Sequence, residues 1–160
     1  MNRDLKLIKQ DRLRYTKNKL SSTLAILAIV FDCLYFVSIY SSDVGNYFYN
    51  YIIGASVVYN LLFLLCTFLS SEGVKSYKLN YATLLIGVGV MQIVRIFYIP
   101  LKAHAELVKI GTESVPAMSD GQFTYVVICL CLSAAACIAS GAIGIYKSVT
   151  LKRYQESLKA

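Results

Sequence analysis

Four stretches of the chain are almost wholly apolar, and polar residues gather between and around them. They cover about residues 22–40, 51–70, 81–101 and 123–146. Crossing a hydrocarbon core of about 30 Å takes roughly 20 helical residues, so each stretch has the length of one membrane span. Unpaired backbone groups are too costly in lipid for anything but helices or closed barrels, so all four are predicted as helices. The fold class that follows is all-α: a four-helix transmembrane bundle, residues 1–160 as one domain, with basic tails at 1–21 and 147–160.

The segments between the spans are short. Residues 41–50 read SSDVGNYFYN, and 71–80 join the second span to the third. The 102–122 segment is expected to extend the third span as helix and to break at Gly111. Ser119-Asp120-Gly121 is a turn signal ahead of the fourth span. In the N-terminal tail, Leu5, Ile8, Leu13 and Leu20 fit one apolar side of a helix lying on the membrane surface; a solvated basic tail fits as well.

Composition agrees with the pattern. Apolar residues make up 57% and charged residues 16% of 160. Soluble domains sit nearer about 45–50% and 25%. The net charge of +7 does not point to nucleic acid, because the basic residues flank the spans. The N-terminal tail holds seven Lys and Arg, the 71–80 segment two and the C-terminal tail four; the other two segments hold only Lys102 and Lys109. The positive-inside rule therefore predicts both termini in the cytoplasm, with the tails against anionic lipid headgroups. Small size and lean loops point to a bacterial cytoplasmic membrane. With no Trp and 13 Tyr, tyrosines such as Tyr40, Tyr47, Tyr49 and Tyr51 supply the interfacial aromatic belt.

Few residues offer chemistry. Asp32 and Arg95 lie inside spans one and three, where a charge costs at least about 2.5–3.5 kcal/mol and normally has a partner. Rise per residue puts them about 15 Å and 21 Å above the start of their spans, within reach of an Arg side chain. Asn60 and Gln92 fall near the same depth. Asp32, Asn60, Gln92 and Arg95 are therefore expected to form a mid-membrane polar cluster. It reads either as an ion pair fixing helix register or as a site for an ion, proton or small substrate. Pairing with another subunit is a third option. Pairing with Arg95 would weaken proton coupling through Asp32.

The fourth span carries a ridge of small residues. Ala136, Ser140 and Gly144 recur every four positions, with Cys137 and Gly141 beside them. Such ridges let helices approach closely. The partner is either this chain's own bundle, with Gly87 and Gly89 as receivers, or another chain.

Catalytic and metal sites are not expected. The lone His104 has only Glu106 nearby, which is short of a metal site. All five cysteines lie in spans with no CxxC, and no cofactor motif is present. The chain lacks the Trp-bearing loop of claudins and the CCG of tetraspanins. The expected function is that of a non-catalytic accessory protein or subunit, in contact with other membrane subunits or with itself. A homo-oligomeric transporter or channel built on the polar cluster is the alternative, and an enzyme the least favoured class.

Overall fold

The computed structural model describes residues 8, 11–13, 15–40, 51–105, 107–110, 113–116 and 118–158. Leu5, Tyr47, Tyr49, Glu106 and Gly111 lie outside the described residues. Helix α1 spans Lys19–Tyr40, α2 Tyr51–Lys75 and α3 Leu79–Ile96. A short α4, Pro100–Ala105, continues from α3 after a turn, and α5 spans Asp120–Ser157. Four helical segments are long and apolar enough to cross a membrane, which indicates an integral membrane protein.

The sequence expectations shift at several ends. The second span continues to Lys75, so its link to α3 is three residues rather than ten. Tyr77 turns the chain with φ of 57°, a left-handed conformation usually left to glycine. The backbone N–H groups of Tyr77 and Lys78 cap α2 by donating to the carbonyls of Val74 and Gly73. Gly73 is required beside this turn, because a Cβ there would run into the Tyr81 ring. The third span breaks at residues 97–99, where Pro100 can open a new helix but cannot continue the old one.

Ala105 ends the helical extension expected beyond the third span. Leu107–Ile110 is instead a strand, paired antiparallel with Glu113–Pro116. Val and Ile residues favour the strand, and this hairpin is the one departure from helix in the described elements. Ser119 then caps α5, its Oγ accepting from the Gln122 N–H at 3.3 Å. At 38 residues and about 57 Å, α5 is far longer than one span and carries the basic C-terminal segment as helix.

The spans form a ring in chain order. Helix α5 packs against α1 and α3, and α2 packs against the same two from the opposite side. Both tails emerge at one end, where Tyr154 donates to Asp11 at 3.3 Å and Lys147 to Asn18 at 2.9 Å. Two apolar clusters fill the ring. Ala25, Ala28, Phe63, Ala82, Leu85 and Cys137 form the one nearer the tails. Tyr35, Ile39, Ala103, Val126 and Leu130 form the other. The mid-membrane charges lie between these clusters.

Candidate functional site: a polar layer and two clefts

Helical rise alone brings Asp32 of α1 level with Gln92 and Arg95 of α3. Arg95 Nη1 meets Asp32 Oδ1 at 3.2 Å, and Gln92 Nε2 donates to the same oxygen at 2.8 Å. Arg95 Nη2 donates to Ser56 Oγ of α2 at 3.0 Å. The guanidinium also lies 4.3 Å from the Tyr35 ring centroid and 4.8 Å from that of Tyr59. Stacking over aromatic faces is worth most where water is absent.

Gln92 joins all four spans. Besides Asp32 on α1, its amide donates to Ser133 Oγ of α5 at 3.3 Å, and its Oε1 accepts from Tyr59 of α2 at 3.4 Å. Ser133 in turn donates to the Ala28 carbonyl at 2.9 Å. Both donors and the acceptor of this amide are therefore engaged. Asp32 is 1% exposed, Gln92 0% and Arg95 6%, so all three are buried within the bundle.

Of the four residues expected to converge, Gln92 and Arg95 both bond to Asp32, and Asn60 bonds to none of them. Asn60 is 2% exposed, yet neither Oδ1 nor Nδ2 has a hydrogen-bond partner among the described residues. An unsatisfied buried polar group costs about 1–3 kcal/mol, so its position calls for a reason. Ser56, Tyr59 and Ser133 take part unforeseen. Spacing was the signal for two of them: Ser56 lies one turn before Asn60 on the same face of α2, and Ser133 one step up the ridge of α5.

The small ridge of α5 is absorbed within the bundle. A Cβ on Gly141 would stand 2.7 Å from the Ala82 carbonyl oxygen. One on Gly144 would meet Ala82 at 2.9 Å, Val74 at 3.3 Å and Ser21 at 3.4 Å, contacts from all three other spans. Ser140 and Ser21 each donate to the other's backbone carbonyl at 2.6 Å. Ala136 and Cys137 are buried in the apolar cluster nearer the tails. Gly89 receives the ridge, its Cβ position lying 3.1 Å from Cys137 Cβ and from the Ala134 carbonyl. Gly87 does not; it is exposed and has nothing within 4 Å of its Cβ position.

Both flanks of α2 are open instead. A cavity of about 200 Å³ lies between α1 and α2 and includes Asp32 and Asn60 in its lining. A groove of about 450 Å³ lies between α2 and α3, over Gly87, with Tyr59, Phe63, Cys66 and Met91 among its walls.

The end of the bundle away from the tails holds His104. Its ring stacks on Phe123 at 4.5 Å, and its Nε2 lies 3.7 Å from Asp120 Oδ1. No group of three or more His, Cys, Asp or Glu among the described residues is placed to hold a metal ion. Comparison with protein-family models, with curated proteins and with solved structures finds no match to this chain.

Proposed function

We propose that the chain is a small non-catalytic membrane protein that works as an accessory component or subunit of a larger membrane complex. The groove over Gly87 carries this reading. A glycine in a helix costs roughly 0.5–1 kcal/mol relative to alanine, and Gly87 returns nothing to its own bundle. A small residue on a lipid-facing helix lets a second helix approach closely. The occupant is an apolar transmembrane helix of another subunit, laid along the groove between α2 and α3. The buried polar layer supports the same reading, since Gln92 bonds to α1 and α5 and Arg95 to α1 and α2, which ties the spans in register.

The basic residues at the tail end fit anionic headgroups, at about 1 kcal/mol for each Lys or Arg near the surface. By the positive-inside rule this end faces the cytoplasm, with a bacterial cytoplasmic membrane as the setting. A second reading, a homo-oligomeric transporter or channel, is favoured by one observation: Asp32 borders the cavity between α1 and α2.

Purification in mild detergent at native expression, followed by native mass and subunit identification, separates the two. The first reading expects a heteromeric assembly that Gly87→Leu disperses while the chain keeps its fold. A pure homo-oligomer would contradict it and favour the second reading, under which Asp32→Asn abolishes flux. A lone monomer would contradict both.

A further inference from the structure

No further inference is drawn: the strongest candidate, the cavity of about 200 Å³ between α1 and α2, presents only apolar surface, and nothing in the structure shows what covers it.

Discussion

The seams along α5 and those along α2 are packed in different ways. Along α5, glycines and serines let backbones touch: Gly89, Gly141 and Gly144 leave no room for a methyl group, and Ser21 and Ser140 bond across the seam. Along α2, the seam with α1 is closed near the tails, where the Ser22 and Ser71 hydroxyls bond at 2.9 Å, but farther along a cavity opens on one flank and a groove on the other. Lipid tails are as apolar as leucine, so burying leucine drives no association in a membrane; close packing and hydrogen bonds do. The α5 half of the bundle is thus built to hold itself together. The α2 half keeps two openings, and under the proposed function the groove over Gly87 receives a partner helix.

The largest expected effect comes where the two halves share one residue. Arg95 reaches Asp32 on α1 and Ser56 on α2. Arg95→Ala leaves a buried carboxylate unpaired and should cost about 3–5 kcal/mol of unfolding free energy in mixed micelles. Replacing both charges, as Asp32→Leu with Arg95→Met, should recover most of that loss. If the double variant were as unstable as the single, register would depend on the charges themselves.

The next effect is confined to the tight half. Ser21→Ala combined with Ser140→Ala should cost about 1 kcal/mol, since hydrogen bonds between membrane helices average near 0.6 kcal/mol each. A change near zero would show that glycine contacts alone close this seam. The smallest lies at the turn into α3. Tyr77→Gly should gain about 0.5–1 kcal/mol, the relief of left-handed strain less the entropy of glycine. A loss would mean that the Tyr77 side chain anchors the turn.

Much of this architecture was legible from sequence because membranes impose length. All four spans, and the approach of Asp32, Gln92 and Arg95, follow from counting residues along helices. What failed to show was which face of each helix turns inward. In a soluble protein the apolar stripe answers that question, but here both faces are apolar. Small and polar residues answer it instead, at alternating steps of three and four: Ala25, Ala28, Asp32 and Tyr35 on α1, and Ser56, Asn60, Phe63 and Thr67 on α2 are all buried. That spacing was present in the sequence and would have added Ser56 to the polar layer. It would not have revealed that Asn60 lacks a partner, because hydrogen bonding depends on side-chain direction and not on depth. Nor did it separate Gly87 from Gly89, two residues apart on one helix but facing opposite ways.

Those two glycines give the most direct measurement. Gly87→Leu and Gly89→Leu make the same chemical change in α3, one toward the open groove and one toward the α5 seam. Unfolding in the same mixed micelles should leave Gly87→Leu within about 0.5 kcal/mol of wild type. Gly89→Leu should lose about 1–3 kcal/mol or more, because the added side chain meets Ala134, Cys137 and Ile138. Equal losses would contradict the division into a closed half and an open one.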